Sequence, residues 1–182
     1  MSEILVLGRG AAPGILPACP LPGHDRERRP LFVIEKRIHA WTPYGWVLIP
    51  RGYVTDFASI PVLASLLTGM DLQALGPWAW AAIIHDMRYA VGEPGKRAEA
   101  DATFHWRLGV DGVHPVTREV LYRAVRLGGG GGYASAAKWW ETANFADPET
   151  GAYPVKPPFA REEAFAGRAW GIRPLPDWPA VA

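Results

Sequence analysis

The sequence predicts an α+β fold, with an N-terminal β-hairpin or small antiparallel sheet packed on a helical bundle and extended Pro/Gly-rich terminal arms. Three observations support this. β-forming residues concentrate in 31–49, apolar residues at helical spacing occupy 61–144, and prolines and glycines crowd 1–30 and 145–182. A chain of 182 residues with 49% hydrophobic and 20% charged residues can bury the core of a single domain.

The chain is accordingly divided into an N-terminal arm over 1–30, a compact domain over 31–144 and a proline-rich C-terminal arm over 145–182. Proline fixes the backbone φ angle and removes a hydrogen-bond donor, so both arms are expected to be extended. Trp170 and Trp178 predict that the second arm packs on its own domain or on a neighbour.

Strands are predicted over residues 31–41 and 46–49, joined by the turn 42–45 into a hairpin. Residues 53–54 and 4–7 are each interpreted as a further short strand.

Helices are predicted where apolar residues recur at helical spacing between proline and glycine signals. Their ranges are 61–67, 77–90, 97–108, 115–127 and 133–144. The five glycines of residues 128–132 are expected to stop the fourth helix, because glycine leaves the backbone its greatest freedom.

The charge balance disfavours a nucleic-acid partner. Lys and Arg number 19 against 18 Asp and Glu, so no general basic field attracts phosphates. The basic residues of the fourth predicted helix, Arg118, Arg123 and Arg126, are interpreted as a solvated face.

Composition also limits covalent and membrane chemistry. The single cysteine, Cys19, excludes a disulfide within the chain and a thiolate zinc cluster. Residues 62–84 are apolar, but Asp71, Gln73 and Pro77 interrupt them, so two short helices are expected there and no membrane span. The N-terminal residues lack the pattern of a secretory signal.

Two groups of polar residues are candidates for chemistry. Asp56 lies in a loop between a strand and a helix, and His85-Asp86 lies inside an apolar helix. Imidazole and carboxylate are ligands for zinc and other divalent metals. The structural alternatives are that Asp56 caps the next turn with help from Ser59, and that His85 is a core histidine while Asp86 pairs with Arg88 or Arg97.

A third group lies on the next predicted helix. Asp101 and His105 are four residues apart and share a face. The structural alternative is an ordinary helix ion pair between Arg97 and Asp101.

Topology is expected to bring these groups together. The connection over 92–96 is short enough to make two helices antiparallel neighbours, so His85-Asp86 and Asp101 should lie at one end of the pair. Asp56, His85 and Asp101 then become candidate metal ligands, and Asp86 joins them as a candidate catalytic residue. Buried carboxylates need either a cation or arginines, and Arg88 and Arg97 are near enough to pair with them.

Four ordered blocks of the chain resemble the DUF1353 family of phage and prophage proteins. They are residues 49–61, residues 81–86 with Tyr89, residues 97–104, and residues 122–126 with Gly128. The resemblance covers about residues 31–140 and contains Asp56, His85, Asp86, Arg97 and Asp101, but not His105. It implies a phage or prophage origin and no particular activity.

Two functions follow from these features. The first is a virion, tail or accessory component bound through its arms to other phage structural proteins or to itself, made in the host cytoplasm and built into the virion. The second is a metal-dependent hydrolase of cell wall or phosphoester, using an Asp/His/Asp site and a divalent metal such as zinc. The proline-rich arms and nine tryptophans place the assembly role first.

Overall fold

The computed structural model describes residues 4–10, 14–26, 29–57 and 78–167. It confirms the α+β class, because two three-stranded sheets accompany five α-helices in these ranges. The helix predicted over 61–67 and the arm residues Trp170 and Trp178 lie outside the described residues. No helix within the described ranges is long and apolar enough to cross a membrane.

Six strands form the two sheets. They are β1 (Ile4–Leu7), β2 (Ala18–Arg26), β3 (Arg29–Ile34), β4 (Arg37–Thr42), β5 (Gly45–Ile49) and β6 (Val54–Thr55). The first sheet has the order β1-β4-β5 and the second the order β2-β3-β6. The predicted hairpin is confirmed as β4–β5, and the Thr42 hydroxyl donates a hydrogen bond to the Gly45 carbonyl (2.6 Å) across its turn.

The strand predicted over residues 31–41 is two strands. A bend at Glu35 and Lys36 separates β3 from β4, and the two strands belong to different sheets. β1 pairs with β4 in parallel, so the first sheet is mixed.

The described part of the predicted N-terminal arm contributes strands to both sheets. β1 pairs with β4, and β2 pairs with β3 in antiparallel register. β2 contains Pro20 and Pro22, which are tolerated because β2 lies at the edge of its sheet and an edge strand has no outer partner for the missing donor. High proline content here therefore marks an edge strand.

The helices follow the sheets. They are α1 (Ala79–Val91), α2 (Arg97–Val110), α3 (Pro115–Gly128), α4 (Gly130–Ala134) and α5 (Ala136–Ala143), followed by a 3-10 helix over Arg161–Gly167. Gly92 ends α1 in the left-handed conformation (φ 55°), which glycine adopts without steric cost. The short connection makes α1 and α2 packed neighbours, as predicted.

The glycine run ends α3 but does not end helical structure. After Gly129 the chain turns and resumes as α4, so the expectation of a full stop is correct only at Gly128. A Cβ on Gly129 would lie 2.4 Å from the Tyr89 hydroxyl oxygen and 2.7 Å from the Val125 carbonyl oxygen. The glycine is needed for this close approach of α1 and α3.

The described part of the C-terminal arm packs on its own domain. Val155, Phe159 and Phe165 contact the main hydrophobic core. The Trp140 indole N–H donates a hydrogen bond to the Phe159 carbonyl (3.2 Å). Burial of these apolar side chains is favourable and holds residues 145–167 against the core.

Candidate functional site

His85 and Asp101 meet where α1 and α2 lie side by side. The His85 Nε2 atom is 2.9 Å from Asp101 Oδ1. Both residues are almost fully buried, with 1% and 0% of their surfaces exposed. His85 lies in the middle of α1 and Asp101 in the second turn of α2, and the side-by-side packing of the two helices brings these predicted residues together.

Asp101 is surrounded by hydrogen-bond donors. The Tyr89 hydroxyl donates to Oδ1 (2.6 Å), Arg126 donates to Oδ2 (2.8 Å), and the Arg97 Nε lies 3.8 Å from Oδ2. Burial opposes ionisation, but the hydrogen bonds from His85, Tyr89 and Arg126 outweigh it and lower the pKa of Asp101. The buried carboxylate is thus stabilised by positive charge and by hydrogen bonds. The residues that take part are called the Asp101 network: His85, Tyr89, Arg97, Asp101 and Arg126.

His85 is a neutral donor in this network. Burial lowers the pKa of His85 in spite of the nearby Asp101 carboxylate. Because an ionised carboxylate only accepts hydrogen bonds, Nε2 carries the proton and Nδ1 carries a lone pair. Nδ1 is buried and has no hydrogen-bond partner within the described ranges.

Thr55, the residue before Asp56, links the other two predicted carboxyl groups because it also contacts Asp86. The Thr55 hydroxyl donates to Asp86 Oδ2 (2.6 Å) and accepts a hydrogen bond from the Phe57 backbone N–H (2.9 Å). Phe57 has a φ of 52°, a left-handed conformation that costs a non-glycine residue energy and occurs often at functional sites. This turn orders the loop next to Asp56.

Asp56 and Asp86 are called the carboxyl pair. The Arg29 guanidinium is 3.1 Å from Asp56 Oδ2, and Arg26 donates a hydrogen bond to the Ala143 carbonyl (2.9 Å). Burial, and then the negative charge of Asp56, raise the pKa of Asp86 to about 7. Asp86 therefore holds its proton close to neutrality, whereas Asp101 is ionised well below it.

One cleft of about 520 Å³ contains the carboxyl pair and His85. It is called the polar cleft, and its polar lining residues include Arg26, Arg29, Thr55, Asp56, His85, Asp86, Tyr89 and Asn144. One pocket thus contains Asp56, His85 and Asp86. Asp101 does not line this cleft, but it is hydrogen-bonded to two residues that do, His85 and Tyr89.

The predicted metal ligands do not form a compact set. Within the described residues, no group of three or more His, Cys, Asp or Glu side chains is placed to hold a metal ion. The Asp101 oxygens accept hydrogen bonds from three side chains, and an Asp56 oxygen faces Arg29. A metal role for Asp56, His85 and Asp101 therefore stays a prediction.

The predicted arginine partners differ from each other. Arg97 lies beside Asp101, as predicted. Arg88 instead contacts Glu99 (3.5 Å) and the Thr103 hydroxyl (3.3 Å). The hydrogen-bond partner of Asp86 is Thr55, so neither arginine pairs with Asp86 as the structural alternative expected.

His105 lies outside the polar cleft. Its Nε2 atom is 3.5 Å from Glu119 Oε2, and its ring centroid is 4.9 Å from that of Tyr122. His105 thus joins α2 to α3. Ser59, the other residue expected to help cap the turn after Asp56, lies outside the described residues.

Several residues of the site were not predicted from the sequence. Arg26 and Arg29 were assigned to the arm or its boundary, although they flank the turn between two strands. Trp139 and Asn144 lie on or just after α5, far along the chain from the other residues. The spacing of Tyr89, four residues after His85, was the one available signal that it shares a helix face with His85.

The chain matches one protein family. Residues 34–125, half of the 182-residue chain, match the family described as "Protein of unknown function (DUF1353)". This range contains both members of the carboxyl pair and Asp101, whereas Arg26, Arg29 and Trp139 lie outside it. Comparison with curated proteins and with solved structures finds no match. The chain therefore belongs to the DUF1353 family.

Proposed function

We propose that this protein is a hydrolase whose reaction takes place in the polar cleft, with Asp56 and Asp86 as its catalytic carboxyl groups. The observation that carries the proposal is that two carboxyl groups from separate elements, a loop and the helix α1, line the same cleft. Both lie beside a strained turn that positions them.

The two carboxyl groups suit the two halves of an acid–base hydrolysis. Asp86 holds a proton near neutrality and acts as the general acid that protonates the leaving group. Asp56 accepts a proton from a water molecule, whose oxygen forms the new bond as the old bond breaks. The Arg29 guanidinium, 3.1 Å from Asp56 Oδ2, holds this carboxyl group in place at the cleft.

The Asp101 network acts as a positioning unit. Its hydrogen bonds hold His85, and His85 precedes Asp86 in the same helix. Since Asp101 is ionised and buried among donors, it joins the middle of α1 to α2 and, through Arg126, to α3. Asp101 itself does not line the cleft.

The metal-dependent alternative keeps the same cleft. Binding of zinc or another divalent ion by Asp56, His85 and Asp101 would require the Asp101 carboxylate to give up hydrogen bonds to Tyr89 and Arg126. The acid–base mechanism requires no such rearrangement, so it is preferred. The two mechanisms differ in their response to chelators and added metal.

The test is an assay of product release from purified peptidoglycan and from a phosphodiester, bis-p-nitrophenyl phosphate, between pH 4 and 8. We expect hydrolysis of one of the two, with kcat reduced about 100-fold or more in Asp56→Asn and in Asp86→Asn. Asp25→Asn, the same change at an exposed aspartate, is expected to leave kcat unchanged.

Added EDTA and zinc separate the two mechanisms. Unchanged activity in EDTA supports acid–base catalysis, and recovery by zinc after loss in EDTA supports the metal-dependent alternative. Hydrolysis of neither substrate, or equal activity in the wild type and both asparagine variants, would contradict the proposal.

A role in assembly is the second candidate, and the edge strand β1 favours it. Among the described residues only β4 pairs with β1, and Ile4 and Val6 are 44% and 39% exposed. An exposed apolar edge can pair with another chain. Under this proposal the protein originates from a phage or prophage, is made in the host cytoplasm, and joins phage structural proteins or its own copies in the virion.

Assembly is tested by its partners. Proteomic analysis of purified virions should find the chain, and a Val6→Lys substitution should remove it while the folded protein still accumulates in the host. A protein found only in the lysate, outside purified virions, and monomeric in native mass spectrometry would exclude this role.

A further inference from the structure

An exposed tryptophan lies at the rim of the polar cleft. Trp139 is 44% exposed, lines the cleft and belongs to α5. Its indole N–H donates to the Ser135 hydroxyl (3.1 Å), which fixes the side chain through its edge. A fixed aromatic ring at the edge of a cavity provides a flat surface against which an apolar face of a ligand can stack.

A buried amide lies in the same cleft. Asn144 is 4% exposed and lines the cleft. Its backbone carbonyl accepts a hydrogen bond from the Val54 N–H (2.9 Å), but its side chain has no hydrogen bond with any other described residue. Because the residue lines the cleft, its amide offers a ligand both a hydrogen-bond donor and an acceptor.

Part of the cleft wall has no side chains. Gly128, Gly129 and Gly132 line it, and a Cβ on Gly132 would meet only the Tyr89 Cδ1 atom, at 3.9 Å. These three glycines are called the glycine wall, and along it a ligand can approach the backbone closely.

The charges in the cleft oppose a phosphate ligand. Arg29 pairs with Asp56, and Arg26 donates to a backbone carbonyl. A phosphate group would have to compete with the Asp56 carboxyl group for Arg29. An uncharged ligand with hydroxyl groups and an apolar face fits this cleft better, and sugar rings have both properties.

Building on the proposed hydrolase function, we infer that the polar cleft binds a saccharide chain, which stacks on Trp139, forms hydrogen bonds with Asn144 and passes along the glycine wall. The bond cleaved is then a glycosidic bond. Asp86 protonates the glycosidic oxygen as the leaving group departs, and water, deprotonated by Asp56, adds to the anomeric carbon.

Binding is tested apart from catalysis in the full-length Asp86→Asn variant. The probes are the hexamer of N-acetylglucosamine and, for a sugar without acetamido groups, maltohexaose, with Kd measured by calorimetry. We expect binding of at least one probe, weakened about fivefold or more by a second change, Trp139→Ala, and largely retained in Trp139→Phe. Tyr44→Ala removes a ring of similar exposure (49%) outside the polar cleft and should not change Kd.

The glycine wall gives a second, matched pair of variants. Gly132→Leu places a side chain into the cleft and should abolish binding. Gly131→Leu makes the same change one residue earlier, at a position that does not line the cleft and has nothing within 4 Å, and should bind like its parent. Equal effects of the two would contradict the proposed path of the ligand.

The outcomes distinguish this inference from the proposed function. Sugar binding that depends on Trp139, without hydrolysis by the wild type, would support the saccharide site and overturn the hydrolase. Hydrolysis of the phosphodiester or of peptide bonds, with no binding of either hexasaccharide, would support the hydrolase and overturn the saccharide site. Sugar binding that is unaffected by Trp139→Ala would overturn the inference as stated.

Discussion

Asp101 and Asp86 are two carboxyl groups close to His85 that differ in their surroundings: Asp101 is fully buried, whereas Asp86 is partly exposed and lines the polar cleft. Asp101 accepts hydrogen bonds from His85, Tyr89 and Arg126, with Arg97 nearby, and its pKa is lowered. Asp86 accepts one side-chain hydrogen bond, from Thr55, and its pKa is raised to about 7. Burial opposes ionisation at both sites; at Asp101 the hydrogen bonds outweigh it, whereas at Asp86 they do not.

The difference in partners suggests different roles for the two carboxyl groups. A carboxylate whose oxygens are all paired stabilises the fold and has little capacity left for a substrate. A carboxyl group that faces a cleft beside a second one has a proton to give near neutral pH. The Asp101 network is therefore expected to respond mainly in stability, and the carboxyl pair mainly in pH dependence and activity.

The largest effect is expected for Asp101→Asn. The change removes the charge that accepts hydrogen bonds from His85, Tyr89 and Arg126, and the loss of these three bonds should lower the free energy of unfolding by about 3 kcal/mol. Urea denaturation measures this loss, with Asp25→Asn as the exposed control. A loss below about 1 kcal/mol would show that the Asp101 network does not hold the helices together.

Gly129→Ala tests the contact that positions Tyr89. The added Cβ would lie 2.4 Å from the Tyr89 hydroxyl oxygen, so we expect stability to fall by about 2 kcal/mol. Gly131→Ala, where nothing lies within 4 Å, should instead raise stability by about 0.5 kcal/mol because alanine favours the helix. Thermal unfolding of both variants checks the prediction, and opposite signs are the decisive result.

Asp86 should make the protein less stable as the pH rises. Its folded-state pKa of about 7 exceeds the value near 3.9 of an unfolded chain, so the folded state binds more protons between these values. The free energy of unfolding should fall as pH rises from 4 to 7 and then level off. Between pH 5 and 8 the contribution of this one group is about 2 to 3 kcal/mol.

The measurement compares the wild type with Asp86→Asn in urea at pH 5 and pH 8. The difference between the two proteins isolates Asp86, because the lowered pKa values of His39, His85 and His105 produce the opposite slope in both. An asparagine variant with the same pH dependence as the wild type would show that Asp86 is ionised throughout.

The smallest effect contrasts two arginines of α3. Arg126 bonds to the buried Asp101, whereas Arg123 pairs with Glu119 and its own side chain is 74% exposed. We expect Arg126→Gln to lower stability by about 1 kcal/mol and Arg123→Gln by less than about 0.5 kcal/mol. Differential scanning calorimetry compares their Tm values, and equal shifts would place Arg126 among ordinary surface residues.

Short sequence patterns correctly predicted the strands and helices whose ends are marked by characteristic residues. The hairpin β4–β5 and the starts and ends of the middle helices follow from β-branched residues, prolines and glycines. Local patterns failed at the bend after Ile34, where two strands continue in one β-rich stretch. Only strand pairing with β2 and β1 shows that they belong to separate sheets.

The candidate site likewise contains residues that local sequence predicts and residues that only the fold brings in. The sequence predicts that His85, Asp86 and Asp101 lie close together. The reason is that a connection as short as residues 92–96 forces the two helices to pack side by side, whatever the rest of the fold. Arg29, Arg126 and Asn144 come from β3, α3 and the end of α5, and no sequence spacing connects them.

The sequence by itself determined the α+β class, the family and the meeting of His85 with Asp101, since these depend on residue types and short separations along the chain. Tertiary structure alone decided that Asp101 is paired while Asp86 faces the cleft. The ionisation of a buried carboxyl group depends on the donors packed around it, and these come from strands and helices distant in sequence.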